Sequence, residues 1–348
     1  MITVLEDMRD GVRDEGIRRA GEILKKGGLV AFPTETVYGL GADALDAGAS
    51  AKIYQAKGRP SDNPLIVHIA DWEAIEKITK DRPWQARRLS EAFWPGPLTM
   101  ILKKSDAVPY ATTGGLDTVA VRMPDNALAL ALIRAGGGYI AAPSANTSGR
   151  PSPTTAQHVA EDLDGEIDMI IDGGPVSIGL ESTIVDLTEE TPTILRPGFI
   201  SKEMLQKVIG PVEMDRGLIA TDSSVRPKAP GMKYRHYAPR APLFIVEGER
   251  QKVQEKINAL TSAEHEKGRT PGVIATDETS GSYTHALVES IGSRADERSI
   301  AQHLYAILRE FDRLEVSVIY SESFETPQMG PAIMNRLMKA AGHQVIHV

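Results

Sequence analysis

The sequence predicts an α/β protein: a mixed sheet flanked by helices, followed by a second, smaller Rossmann-like α/β unit. Three observations predict it. Short apolar runs such as "LVAF" (29–32), "LIVHI" (65–69) and "YIAA" (139–142) alternate with segments whose apolar residues fall at helical spacing. Later runs, "DMIID", "STIVDL" and "TILRPG", are joined by short loops, so part of the sheet is expected to be antiparallel. After a stretch rich in proline and glycine, from about Gly210 to Pro242, the strand and helix alternation starts again.

From Asp14 to Lys26, Ile17, Ala20, Ile23 and Leu24 keep helical spacing and "KKGG" closes the pattern, so a first helix is expected there. "LVAF" reads as a buried strand and "PTETVYGLGAD" as a turn-rich segment. Further strands are read at "LIVHI", "LTMIL" (98–102), "TVAVRM" (118–123) and "YIAA", with helices at "DWEAIEKIT" and "ALALALIRA". The second unit is read as strand "LFIVEG", helix "RQKVQEKINALTS", strand "GVIAT", helix "SIAQHLYAILREFDRL", strand "VSVIYSES" and helix "GPAIMNRLMKAAG". It has no glycine-rich fingerprint, so no nucleotide site is expected there.

The 348 residues, 41% hydrophobic and 25% charged, are ordinary globular composition and long enough for two cores. With no cysteine, disulfides and thiolate metal sites are excluded. The opening "MITVLEDMRDGVRDEG" is acidic where a secretory leader needs a basic start and an apolar core, and no run approaches the roughly 18 apolar residues of a membrane span. A soluble, cytoplasmic protein is expected. The net charge of −8 repels polyanions, so any bound anion must be held by local cations.

Three polar clusters are expected at strand ends, where open α/β sheets bind ligands: Lys57 with Arg59, Arg122, and Ser144 with Asn146. Lys57 and Arg59 offer a point charge and a bidentate fork, suited to a polyphosphate. A lone Lys-x-Arg is ordinarily a solvated loop, but Gly58 and the rigid "RPSDNP" turn argue for a fixed backbone. Asn63 is either a turn former before Pro64 or a ligand group. His68, in an otherwise apolar strand, reads by default as a satisfied, half-buried histidine. Arg122 cannot be neutralised in its apolar run, so it pairs either with an internal carboxylate or with that of a ligand.

"PSANTSG" (143–149) gathers hydroxyl and amide side chains after a strand, able to approach phosphate oxygens but equally a polar loop before a helix cap. Thr154 and Gln157 read as a capping box opening "TTAQHVAEDL". Walker, GxGxxG and HExxH sequences are absent, and no carboxylate cluster of the metal-binding type is visible.

Together these stretches resemble the YrdC/Sua5 family. "KGR" at 57–59 with "SAN" at 144–146 matches its KxR and SxN signature, and "FPTETVYGLG" and "SANTSG" match its other characteristic stretches. The resemblance covers residues 13–200 as the YrdC-like domain, while "PGMKYRHYAP" and the tail through "GPAIMNRL" look like the linker and C-terminal domain of the longer members. The tail departs from the family in "QMGPAIMNRL", where an apolar residue and glycine more often precede Gly-Pro. The fold implied is a YrdC-like twisted open mixed sheet over 1–209, a linker or lid over 210–242 and an α/β domain over 243–348.

The activity implied by the resemblance is a nucleotidyltransferase forming L-threonylcarbamoyladenylate and pyrophosphate from L-threonine, bicarbonate or CO2, and ATP. The product passes to a tRNA threonylcarbamoyl transferase complex acting on adenosine 37; direct tRNA binding is expected to be weak or absent. The residues implied are Lys57, Arg59, Ser144 and Asn146 for catalysis, with Asn63, Thr118, Ser152, Arg196 and Tyr234 completing the ATP site. Thr36, His68, Arg122, Ala142 and Ser182 would line the threonine pocket. Mg²⁺ would accompany ATP, held mainly by phosphate oxygens and water. Tyr234, in "KYRHY", would fold over the nucleotide or belong to a purely structural linker. Two rivals are a non-catalytic module binding double-stranded RNA and an enzyme that forms a carbamoyladenylate from carbamoyl phosphate.

Overall fold

The structure, a computed structural model, describes residues 2–215, 236–324 and 326–348. They divide into two compact units, one of residues 2–148 and 152–215, the other of 149–151 and 236–348. Tyr234 and most of the expected lid lie outside the described residues.

In the first unit, β1 (Val4–Asp7), α1 (Asp14–Lys25), β2 (Val30–Phe32), β3 (Gly39–Asp43) and α2 (Ala47–Lys57) precede β4 (Ile66–His68). Next come α3 (Ile75–Ile78), α4 (Trp84–Phe93), β5 (Leu98–Lys103), β6 (Thr118–Arg122) and α5 (Ala127–Ala135). The unit continues with β7 (Ile140–Ala141), α6 (Ala156–Leu163), β8 (Met169–Asp172), β9 (Thr183–Asp186), β10 (Thr193–Arg196), α7 (Lys202–Ile209) and β11 (Glu213–Met214). Its strands form one mixed sheet in the order β1-β8-β2-β3-β7-β4-β6-β5-β9-β10-β11.

Alternation along the central strands sends Val67, Val121, Met100 and Val185 into the main apolar core beneath α2 residues Ala49, Ile53 and Tyr54. The opposite face carries a separate small cluster of Ile66, Ile101, Ala120, Ile184 and Leu195. That second face carries the site.

Several local readings change. "GLGAD", read as part of a turn-rich segment, is β3, paired antiparallel to both β2 and β7. Its glycines are there because the neighbouring strands leave no room: a Cβ on Gly41 would lie 2.9 Å from Ile140 Cγ2 and 3.0 Å from Phe32 Cε1. The expected helix in "DWEAIEKIT" is a single 3₁₀ turn, Trp72–Ala74, followed by the one-turn α3. The cap of α6 is Thr155, whose hydroxyl accepts from His158 N, and not Thr154. Lys57 ends a helix rather than a strand. Gly58 caps that helix in the left-handed region at φ 58°, where glycine alone is comfortable.

The second unit contains β12 (Leu243–Glu247), α8 (Arg250–Glu266), β13 (Pro271–Ala275), β14 (Leu287–Ser290), α9 (Glu297–Arg313), β15 (Val318–Glu322), α10 (Gly330–Ala340) and β16 (Val345–His347). Its sheet is parallel throughout, in the order β14-β13-β15-β12-β16, the smaller Rossmann-like layer expected. The two edge strands, β14 and β16, are partly exposed and lack the apolar runs by which the inner three are recognised. Glu322, buried at the end of β15, accepts hydrogen bonds from the Thr279 and Tyr283 hydroxyls and pairs with Arg294.

The packing around β3 is directly testable. Gly41→Ala is expected to lower stability by about 1–3 kcal/mol through overpacking, read as a shifted urea midpoint. An unchanged midpoint would contradict the close approach of β2 and β7.

Candidate active site

The site begins with register. His68 on β4 lies opposite Arg122 on β6, Arg122 opposite Thr99 on β5, Thr99 opposite Ile184 on β9, and Ile184 opposite Arg196 on β10. Cross-strand partners project from the same face, so His68, Arg122, Thr99 and Arg196 form one polar row at an edge of the apolar floor. Thr118 and Ala120 lie on the same face of β6, two residues apart behind Arg122.

Each member of the row has partners. The Thr99 and Ser182 hydroxyls lie 2.8 Å apart, and Arg196 donates from Nε to Ser182 O (3.0 Å) and from Nη2 to Ser182 Oγ (3.1 Å). Arg196, expected on the nucleotide side, thus touches Ser182, expected in the amino-acid pocket. Arg122 Nη1 donates to Thr36 Oγ1 at 2.9 Å, while its Nη2 lies 2.7 Å from Glu35 Oε2. Of the two partners left open for Arg122, the internal carboxylate is therefore present. His68 is fully buried rather than half-buried, with Nδ1 3.2 Å from Ile66 O. Burial, and then the Arg122 charge, push its pKa down from 6.5 to about 3, so the ring is neutral at ordinary pH.

The second half of the site is built on Lys57. Its side chain is 1% exposed, and Nζ donates to Ser144 O at 2.5 Å and to Asn146 O. Within that loop Ser144 Oγ donates to Asn146 Oδ1 at 2.5 Å, and Asn146 Nδ2 donates to Thr147 O at 2.8 Å. Arg59 donates from Nε to Asn63 O (3.3 Å) and from Nη2 to Pro64 O (3.1 Å), fixing the turn that leads into β4. Asn63 is a turn residue, its N–H donating to Pro60 O. It also holds a buried Oδ1 with no hydrogen-bond partner. Ser152 Oγ donates to Glu181 Oε1 at 2.5 Å, beside Ser182.

A single turn joins the halves. Thr36 in the β2–β3 connection receives Arg122, while Tyr38 two residues on accepts from Ala145 N (2.8 Å) and donates from its own N–H to Pro153 O (2.9 Å). Gly39 bridges to Ser144, and Ala142, buried at the end of β7, donates to Ile66 O. The structure thus brings Thr36, Arg122, Ala142 and Ser144 about one connection, with Lys57 held against the Ser144 loop. Sequence reading missed Glu35, Thr99 and Glu181. Glu35 alone stood inside a recognised stretch, "FPTETVYGLG".

No group of three or more His, Cys, Asp or Glu side chains suited to a metal ion occurs among the described residues. No helix among them is long and apolar enough to cross a membrane.

Two family models match nearly end to end: one described as Telomere recombination over residues 22–198, the other as Threonylcarbamoyl-AMP synthase, C-terminal domain, over 200–342. The chain belongs to the YrdC/Sua5 family. It is a long-form member, carrying the family's C-terminal domain, and an enzyme of the nucleotidyltransferase type. It is 53% identical over 334 residues to the threonylcarbamoyl-AMP synthase of Bacillus subtilis, covering 96% of this chain and 95% of that one. It is 50% identical to the synthase of Pyrococcus abyssi over the whole of both chains. The solved structure of P. abyssi Sua5 complexed with L-threonine is similar with a TM-score of 0.94 at 49% identity, covering 99% of this chain and all of that one.

The depressed pKa of His68 has a definite sign. The unfolded chain binds a proton between about pH 6.5 and 3 that the folded chain refuses, so this stabilisation is complete above pH 6.5 and lost as pH falls towards 3. Between pH 7.5 and 5, urea unfolding of the native chain should lose about 2 kcal/mol more than that of His68→Gln. Equal losses would show that His68 titrates normally.

Proposed function

We propose that the chain is a threonylcarbamoyl-AMP synthase, forming L-threonylcarbamoyladenylate and pyrophosphate from L-threonine, bicarbonate or CO2, and ATP for modification of tRNA adenosine 37 in the cytoplasm. The observation that carries the reading is the placement of Arg122 and of the Lys57–Ser144–Asn146 cluster on either side of one connection. Relatives at 50% identity or more with this enzyme's name support it.

The chemistry asks for positioning and charge neutralisation rather than a protein nucleophile. A carbamate formed on the threonine nitrogen attacks the α-phosphorus of ATP, a P–O bond breaks and pyrophosphate departs in line. Arg122 takes the threonine carboxylate: Nε and Nη2, the two donors on one edge of its guanidinium, make no hydrogen bond in this structure. Thr36, Ser182 and Ala142 line the same pocket beside the neutral His68, and a hydrogen bond to the substrate hydroxyl there would reject valine, which leaves polar groups unpaired. Lys57 and Arg59 supply buried positive charge for the triphosphate, with Ser144, Asn146, Asn63 and Ser152 as polar contacts, and Thr118 and Arg196 on the nucleotide side. Mg²⁺, coordinated by the phosphates and water, would neutralise developing charge on the leaving pyrophosphate. Tyr234 would close over the nucleotide and keep water from a hydrolysable product. The product would pass to a tRNA threonylcarbamoyl transferase complex.

An RNA-binding module is not favoured. The chain carries a net charge of −8, and the cations of the site are buried rather than spread over a surface.

A pyrophosphate assay with each substrate omitted in turn tests the reading. Release is expected to need ATP, threonine and bicarbonate together; release with carbamoyl phosphate in place of threonine and bicarbonate, or none at all, would overturn it. Arg122→Lys should raise the threonine KM by about 10- to 100-fold, the ~1.5–3 kcal/mol of a charge-assisted hydrogen bond, and leave the ATP KM nearly unchanged. Lys57→Ala should abolish turnover of ATP; near-native rates would remove Lys57 from the phosphate site.

A further inference from the structure

The contact between Glu35 and Arg122 is close but badly directed. Both side chains are buried, 7% and 5% exposed, and Oε2 lies 2.7 Å from Nη2. Yet neither Glu35 carboxylate oxygen makes a hydrogen bond, and neither Nε nor Nη2 of Arg122 donates one. A buried carboxylate is expensive to desolvate, and a pair retained for stability takes the parallel two-bond geometry that guanidinium and carboxylate permit. Here both the acceptor and the bidentate edge of the donor are left unsatisfied. Backbone bonds hold the acid in place: Glu35 O accepts from Ile178 N at 2.8 Å, and Thr36 O accepts from Gly179 N at 3.0 Å.

On the reading proposed above, the amino acid reaching Arg122 is a zwitterion. Its ammonium nitrogen lies about 3 Å from its own carboxylate oxygens, a spacing set by two covalent angles. A carboxylate settling on the Nε–Nη2 edge of Arg122 therefore brings an ammonium within reach of the carboxylate it displaces. We propose that Glu35 is the counter-ion and proton acceptor of the substrate's α-amino group, paired with Arg122 as the clamp for its carboxylate.

The step balances. The ammonium N–H bond breaks and its proton goes to a Glu35 carboxylate oxygen, leaving a neutral amine and a neutral carboxylic acid. The nitrogen lone pair then attacks the carbon of bicarbonate; a C–N bond forms, a C–O bond breaks, and carbamate and water are the products. Glu35 later returns the proton to solvent. His68, the neighbouring imidazole, is a poor candidate for this work: its Nδ1 already lies 3.2 Å from Ile66 O, and a neutral ring has no negative charge to pair with an ammonium. Glu35 also gives the pocket a means of selecting amino acids from other carboxylates. A ligand with a carboxylate but no ammonium would displace Glu35 from Arg122 and leave its charge buried without compensation.

The test is calorimetric binding of L-threonine and of 3-hydroxybutyrate, which is threonine without its amino group, to the full-length chain and to Glu35→Gln. The native chain should prefer threonine by at least tenfold. In Glu35→Gln, threonine affinity should fall at least tenfold while 3-hydroxybutyrate affinity holds or rises, and kcat should drop by about 10²- to 10⁴-fold with the ATP KM unchanged. Retained preference for threonine in the variant, or tighter binding of both ligands, would overturn the proposal; the latter would make Glu35 only a competitor for Arg122. Loss of both affinities in parallel would make it structural and equally overturn it. Should Glu35→Gln fail to fold, the native comparison still decides, since a native chain that does not distinguish the two acids has no ammonium site. A native chain that binds 3-hydroxybutyrate but not threonine, or neither, would sink the synthase reading itself.

Discussion

A positive charge buried at Lys57 sets the geometry of this site. Removing an ammonium from water costs several kcal/mol unless polar groups replace the lost solvent, and two of its replacements are the carbonyls of Ser144 and Asn146. Both carbonyls must turn inward, which forces the loop after β7 to curl around the end of α2. Ser148 N–H donates to Lys57 O and completes the attachment, while Gly58, in a conformation other residues resist, turns the chain away at once. The hydroxyl of Ser144 and the amide of Asn146 are consequently placed by a charge that lies outside their own loop.

The β2–β3 connection extends that order across the sheet. Thr34 and Thr36 hydroxyls lie 2.9 Å apart, Thr34 Oγ1 donates to Val37 O, and Thr36 takes the Arg122 guanidinium, so the turn is stiffened from within before it touches anything else. Tyr38 then bonds on one side to Ala145 and on the other to Pro153. Two cations, Lys57 of α2 and Arg122 of β6, are thereby held in fixed relation through a connection ordered by its own hydrogen bonds. For a reaction that depends on the alignment of two bound substrates, rigidity of this kind is worth more than additional charge. It also explains how a chain with a net charge of −8 can hold anions: the field that matters is local and shielded from the bulk.

Much of this was legible in the sequence, for physical reasons that differ by element. Inner strands such as β5 and β8 are mainly apolar runs because they are buried on both faces. Arg122 was conspicuous because a guanidinium cannot shed its charge. By contrast α2 is built from small residues, Ala49, Ser50 and Ala51 among them, which give little contrast between its buried and exposed sides. Strand β3 was hidden because its glycines, required by close packing of its neighbours, are also the usual mark of a turn. Thr99 and Glu181 matter only through register or contact: Thr99 by standing opposite Arg122, Glu181 by accepting from Ser152 twenty-nine residues away. Neither relation leaves a local trace.

Glu35 was hidden for a further reason, which bears on why the pocket pairs an arginine with an acid at all. A guanidinium buried alone would be costly, and one bonded bidentately to an internal carboxylate would be stable but closed to any other acid. The observed arrangement lies between these cases. Glu35 Oε2 lies 2.7 Å from Nη2 and neutralises Arg122, yet makes no hydrogen bond to it, so the Nε–Nη2 edge can still be taken by another carboxylate. A zwitterionic amino acid is also neutral, and its entry exchanges one opposed pair for two without adding charge to a low-dielectric site. The same exchange with a simple carboxylate would add an uncompensated negative charge. Selectivity for amino acids then follows from keeping the charge balance of the site the same before and after binding, and it needs an acid as firmly placed as the arginine.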